Sequence, residues 1–202
     1  MKKWGLLAVP VVALALLGAC GNDDDHDDHG GNSNGTNTTK SEQKSTTGNQ
    51  SSNDLNGKKL SLSFQDVIKQ FEDKYANAAI TSVELEEDSG RIIYSVEGMD
   101  DQNEYKLKLD AESKEVLEDQ KEAVDNEDKQ ELDQEKLDLK GLISESDAMK
   151  KAVAEVDGPV SSIELDRSYQ DTVYDVSVET GSDDSEVRIN AKTGKVLSVD
   201  PH

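Results

Sequence analysis

Thr172-Val173-Tyr174-Asp175-Val176-Ser177-Val178, followed by Val187-Arg188-Ile189-Asn190-Ala191-Lys192-Thr193-Gly194-Lys195-Val196-Leu197, is the stretch whose reading decides the fold. Apolar residues alternate with polar ones along both runs, the period of a strand with one buried face. Asn190 to Gly194 is a turn between such strands, because Gly194 can take positive φ cheaply in a tight hairpin. A further alternating pair, Ile163 and Leu165, precedes them. Short polar turns between period-two segments predict an antiparallel meander.

Working upstream, the same pattern returns. Leu85, Tyr94, Val96, Ala111, Val116 and Leu117 recur eighty residues later as Leu165, Tyr174, Val176, Ala191, Val196 and Leu197. The turn Asp110-Ala111-Glu112-Ser113-Lys114 aligns with Asn190-Ala191-Lys192-Thr193-Gly194 without a gap. Lys114 therefore stands where the other copy has glycine, at a cost on the order of 1 kcal/mol. The strand faces in the first copy are Val83 and Leu85, then Ile92, Tyr94 and Val96, then Leu107 and Leu109.

A helix opens each copy. Ser63 and Ser144 are N-cap candidates, with Asp66 and Asp147 three residues on to complete capping boxes. Leu62 with Val67, and Ile143 with Ala148, supply the residues for hydrophobic staples. Phe64, Val67, Ile68, Phe71 and Tyr75 share one helical face, as do Ala148, Met149, Ala152, Val153 and Val156. The larger side chains of the first helix predict the more stable copy. The expected fold class is α+β, with two tandem repeats, each a helix packed on a small antiparallel β-sheet.

The start of the chain carries an address. Lys2 and Lys3 precede an apolar run from Trp4 to Leu16, broken by Gly5 and Pro10, and then Leu17-Gly18-Ala19-Cys20. Charge, short apolar stretch and small residues before a cut are the layout of a signal peptide. The run is shorter than the roughly 20 residues a spanning helix needs. Leu-Gly-Ala-Cys resembles the bacterial lipobox, which implies that Cys20 is lipidated and becomes the mature N-terminus. Stable anchoring takes about two acyl chains, which a diacylglyceryl group on Cys20 provides. Cys20 is the only cysteine, so neither disulfides nor thiolate chemistry is expected in the folded part.

The segments then follow: 1–19 signal peptide, 20–58 lipidated disordered tether, 59–119 first repeat, 120–140 acidic linker and 141–202 second repeat. The tether is almost devoid of apolar residues. At about 40 residues it reaches roughly 35 Å as a coil and about 130 Å when stretched. Its Asp23-Asp24-Asp25-His26-Asp27-Asp28-His29 tract reads at most as a weak, unselective cation binder. The linker contains too few apolar residues for a core, and proteolysis is expected to cut it between Glu118 and Lys140.

Composition narrows the function. A net charge of -22 argues against nucleic acid as a partner, since binding phosphate needs a basic footprint. His26, His29 and His202 are the only histidines, none in a position to pack. A zinc helix, a Ser-His-Asp triad and a Cys-His pair are thereby excluded from the repeats. No catalytic residue, metal or other cofactor is expected, and the chain reads as a binding protein rather than an enzyme.

The second copy, from Ile143-Ser144-Glu145-Ser146-Asp147-Ala148 through Val173-Tyr174-Asp175-Val176 to Asn190-Ala191-Lys192-Thr193-Gly194-Lys195-Val196-Leu197, resembles a PepSY domain. The first copy is similar from Leu62 to Leu117, with Lys114 at the family's usual glycine; Asn190 replaces its usual aspartate. The resemblance implies an envelope protein that binds or restrains peptidases, as PepSY domains do in the inhibitory propeptides of thermolysin-type metallopeptidases. With no peptidase domain in the chain, restraint would act in trans. The expected protein is lipid-anchored outside the cytoplasm, most in keeping with a Gram-positive envelope, and engages a protein partner. The other readings are a cation-binding lipoprotein that uses its acidity, and a structural role in the envelope.

Overall fold

The computed structural model describes residues 54–124, 132–181 and 184–201. The elements run α1 (Phe64–Lys74), β1 (Ala79–Asp88), β2 (Arg91–Met99), β3 (Asn103–Asp110), β4 (Val116–Ala123), the short α2 (Leu132–Glu135), α3 (Glu145–Glu155), β5 (Val160–Ser168), β6 (Asp171–Glu179), β7 (Asp184–Asn190) and β8 (Val196–Pro201). The class is α+β, and each repeat contributes one helix and a four-stranded antiparallel meander.

Both helices start as their sequences dictate. The Ser63 hydroxyl accepts the Asp66 amide, and the Asp66 carboxylate accepts the Ser63 amide at 2.9 Å, a complete capping box. Ser144 accepts the Asp147 amide at 3.1 Å and caps α3 with the serine half of the expected box alone. One tyrosine per repeat then ties the helix entrance to the sheet. Tyr94 Oη donates to the Leu62 carbonyl at 3.0 Å and Tyr174 Oη to that of Ile143 at 2.8 Å. Each is a core ring whose single polar atom is satisfied.

The sheet differs from expectation in one decisive respect. The repeats do not form two small sheets: their strands join in one eight-stranded sheet, order β4-β3-β2-β1-β5-β6-β7-β8. The seam is the antiparallel pair β1–β5, with Val83 opposite Leu165, Glu84 opposite Glu164, and Leu85 opposite Ile163. Residues equivalent in the two repeats, Glu84 and Glu164, thus face each other. One continuous core runs beneath both helices, and the Phe64 ring lies 6.0 Å from Tyr174 of the other repeat. The physical reason is size. A 60-residue domain buries only about 60% of its unfolded surface, against about 70% for one of 150 residues, and two bare edges are removed from water-mediated pairing at once.

The segment boundaries shift accordingly. Leu55 is fully buried and its amide donates to the Val160 carbonyl at 2.9 Å, while Asp54 Oδ1 accepts the Val160 amide at 3.1 Å. The fold therefore begins at least at Asp54, within the segment expected to be tether. Strand β4 extends to Ala123, and Leu137 is buried with its amide on the Ile80 carbonyl at 3.0 Å. Both ends of the expected linker are consequently structured, which removes most of the region predicted to be cut. A single leucine anchors each of these segments where the sequence shows no periodicity.

The two helices meet the sheet with side chains of different size. Phe71 of α1 lies over Gly98 of β2, where a Cβ would stand 2.8 Å from the ring. Tyr75 stacks near Phe71 at 4.9 Å and near Tyr105 at 4.3 Å. The equivalent residues of the second repeat are Ala152, Val178, Val156 and Ser185. A large helix residue and a strand glycine in one copy are replaced by a small helix residue and a strand valine in the other. The larger aromatic side chains of α1 therefore do not by themselves make the first repeat the better packed.

The β3–β4 and β7–β8 turns share a frame. Asp110 Oδ1 accepts the amides of Glu112 and Ser113, and Asn190 Oδ1 those of Lys192 and Thr193. The amide oxygen of asparagine serves as well as a carboxylate oxygen here. Lys114 and Gly194 both have φ of 66°, in the left-handed region. Lys114→Gly should stabilise the protein by about 1 kcal/mol, read as a higher urea midpoint at unchanged slope; an unchanged midpoint would refute the strain.

Candidate functional site

Strand alternation sends Tyr94, Val96, Leu107 and their counterparts toward the helices. The opposite face carries Glu84 and Glu86 of β1, Ser95 and Glu97 of β2, Lys106 and Lys108 of β3, Glu164 and Asp166 of β5, Asp175 of β6, and Glu186 and Arg188 of β7. Lys106 pairs with Glu97 at 2.5 Å. Arg188 forks onto Asp175 at 2.8 and 2.9 Å and reaches Glu186 at 3.2 Å. The planar, bidentate Arg188–Asp175 pair and the single Lys106–Glu97 contact tie the outer parts of the face.

Its centre is different. Ile93 and Val173 are buried on this face, and Glu84 and Glu164, opposite each other across the seam, are only partly exposed. Burial, reinforced by the charges of Glu86 and Glu97, pushes the Glu84 carboxyl up to about 7. Burial pushes Glu164 to about 8, with Glu84, Asp166 and Asp175 adding repulsion. Burial also raises Asp166. The two carboxyls titrate as a coupled pair, each held protonated above the usual carboxylate range by its burial. A reading of this face from alternation alone as a solvated surface misses the pair; the signal is Ile93 and Val173, apolar residues at outward positions.

On the helix side, a cleft of about 520 Å³ lies between α1 and the segment entering α3. Phe64, Ile68, Leu142, Ile143 and Tyr174 give it apolar walls, and Lys69 and Glu145 are among its charged residues. The α1 N-terminus meets that of α3 there, the Phe64 amide donating to Glu145 Oε1 at 3.3 Å.

The sheet ends in two edges that are equivalent by repeat and unlike in chemistry. On β4, Asp119 is held by Lys74 and by the Tyr75 hydroxyl, both from the end of α1. Lys74 lowers the Asp119 carboxyl below its usual range. On β8 the equivalent residue is Val199, 42% exposed, with Leu197 beside it at 46%. Glu155 and Val156 of α3 occupy the places of Lys74 and Tyr75.

Cys20, the Asp23–His29 tract and His202 lie outside the described residues. Among the described residues no group of three or more His, Cys, Asp or Glu side chains is placed to hold a metal ion, and no helix is long and apolar enough to cross a membrane. What the arrangement offers is surface: a seam of protonatable carboxyls, an apolar cleft and two dissimilar strand edges.

The "Peptidase propeptide and YPEB domain" family, PepSY, matches residues 61–120 and again 142–200, more than half of the chain. The two matched regions coincide with the two structural repeats. A crystal structure of a candidate lipoprotein from Clostridium difficile 630 is similar, with a TM-score of 0.72 and 36% identity over 74% of this chain and 99% of that one. None of the curated proteins matches the chain.

Proposed function

The chain belongs to the PepSY family in both of its repeats, and from that premise we propose that it is an extracytoplasmic lipoprotein, anchored through Cys20, that binds a peptidase and restrains it in trans. The observation that carries the binding part is the matched family, whose description is that of a peptidase propeptide, joined to a fold with free edges and an apolar cleft. Such a scaffold binds by adding or covering backbone, and its role requires no catalytic group. The anchoring part rests on Leu17-Gly18-Ala19-Cys20 and on the likeness to a candidate lipoprotein. Acidity fits a tethered protein that must stay soluble beside a membrane.

Two measurements test the two parts. In a bacterial host that processes lipoproteins, Cys20→Ala should lose incorporation of labelled fatty acid and leave the membrane fraction; labelling equal to wild type would refute the anchor. Purified full-length Cys20→Ala, added to a thermolysin-type metallopeptidase, should slow cleavage of a chromogenic peptide saturably at micromolar concentration. Unchanged cleavage rates across that titration would remove the peptidase from the reading.

A further inference from the structure

We propose that strand β8 is a docking edge, which adds one extended segment of a partner protein in which apolar and basic residues alternate. The inference rests on the protein-binding reading above and locates it.

The two outer edges began as copies of one design, so their differences are informative. Edge strands in soluble proteins are commonly protected by charge against adding another strand. Strand β4 follows that rule: after Val116 and Leu117 it reads Glu118-Asp119-Gln120-Lys121-Glu122, and Lys74 and Tyr75 of α1 are bonded to Asp119. At the positions of Glu118, Asp119 and Gln120 strand β8 has Ser198, Val199 and Asp200, and Val199 is exposed, as is Leu197, the counterpart of Leu117. The Lys74–Asp119 tie has no counterpart there, because Glu155 and Val199 replace the pair.

The chemistry of the occupant follows from what flanks the edge. Val199 pairs with Val187 of the core side, so one side of an added strand meets Val199, next to the bulge that holds the exposed Leu197. Asp200 pairs with Glu186, and Asp175 lies on that same face, so the other side meets a row of three carboxylates beside the one guanidinium of Arg188. Apolar residues on one side and lysine or arginine on the other complement both rows. A second copy of this chain does not, since each copy carries a net charge of -22. Pro201 ends the strand and has no N–H to donate, which limits the addition to the residues from Val196 to Asp200.

The test uses full-length Cys20→Ala protein and a fluorescein-labelled six-residue peptide of alternating valine and lysine. Anisotropy should report saturable binding that weakens at least tenfold in Val199→Asp, which restores the residue found on β4, and that is unchanged in Val116→Asp. Circular dichroism and the melting temperature of each variant check that both remain folded. Equal weakening by both variants, equal binding of a valine–glutamate peptide, or no saturable binding would each overturn the proposal. So would a wild-type dimer in sedimentation equilibrium that Val199→Asp dissociates, since the occupant would then be a second copy. Metallopeptidase inhibition separates the two readings. If Val199→Asp inhibits as well as the parent, the edge falls and the peptidase reading stands; peptide binding without inhibition by the parent gives the reverse.

Discussion

Gly98→Val should destabilise the protein by about 3 kcal/mol, the upper end of what overpacking a core costs. A Cβ at this position would stand 2.5 Å from the Ala79 carbonyl oxygen and 2.8–2.9 Å from two atoms of the Phe71 ring. The carbonyl is backbone and the ring is wedged between α1 and the sheet, so neither can yield cheaply. Phe71→Ala alone should cost about 3–5 kcal/mol, the range for a buried aromatic. The double variant Phe71→Ala/Gly98→Val installs the residues that the second repeat has at the equivalent positions, Ala152 and Val178. It should therefore be more stable than the two single losses predict, by about 1–3 kcal/mol, the size of coupling between residues in contact. Recovery stays partial because the Ala79 carbonyl remains. Urea denaturation of the four proteins closes the cycle, and strict additivity would show that the two repeats do not solve one packing problem in exchangeable ways.

Stability should fall as pH rises from about 5 to 8.5, and Glu164→Gln should abolish much of that fall. The Glu164 carboxyl is raised from 4.5 to about 8 in the fold and that of Glu84 to about 7. Between the unfolded and folded values the native state holds more protons than the unfolded chain, so ∂ΔG/∂pH is negative there. Shifts of this size correspond to several kcal/mol, shared because the two groups titrate as a pair. Glutamine mimics the protonated acid. Glu164→Gln should thus change stability little near pH 5 and increase it by about 2 kcal/mol at pH 8.5. The surrounding charges, Glu86, Glu97, Asp166 and Asp175 against Lys106, Lys108 and Arg188, are on the same face and set the size of the effect. At lower pH the trend reverses, because hydrogen bonds from Ser63 and Ser113 hold Asp66 and Asp110 below the usual carboxylate range and are weakened on protonation. Melting temperatures at pH 5 and 8.5 decide the matter; an equal gain at both would mean that Glu164 acts through packing and not through charge.

Local rules made much of this fold legible. The serine caps, the Tyr94 and Tyr174 rings, the alternating core faces and the left-handed turn at Lys114 all follow from spacing within a few residues, and each is where its spacing places it. The seam was not legible, because β1 and β5 join through backbone groups that every residue carries, far apart in sequence. Leu55 and Leu137 escaped for a related reason: one buried leucine has no period. The carboxyl pair was hidden by alternation itself, which marks Glu84 as outward but cannot show that its outward neighbour across the seam is Glu164. The exchange of Phe71 and Gly98 for Ala152 and Val178 was written in the repeat alignment, yet only the placement of a ring over a glycine connects the helix residue with the strand residue.

The register of the seam has an implication for descent. Val83 opposite Leu165, Glu84 opposite Glu164 and Leu85 opposite Ile163 is the pattern of an approximate two-fold axis passing between the two glutamates. An isologous contact of this kind is what identical subunits form. A chain with a single such module would leave β1 bare and would be expected to close it against β1 of another molecule. Fusion of two modules then turns an association that depends on concentration into one that does not. It also frees the halves to diverge everywhere except on the axis, where any residue must tolerate its own descendant.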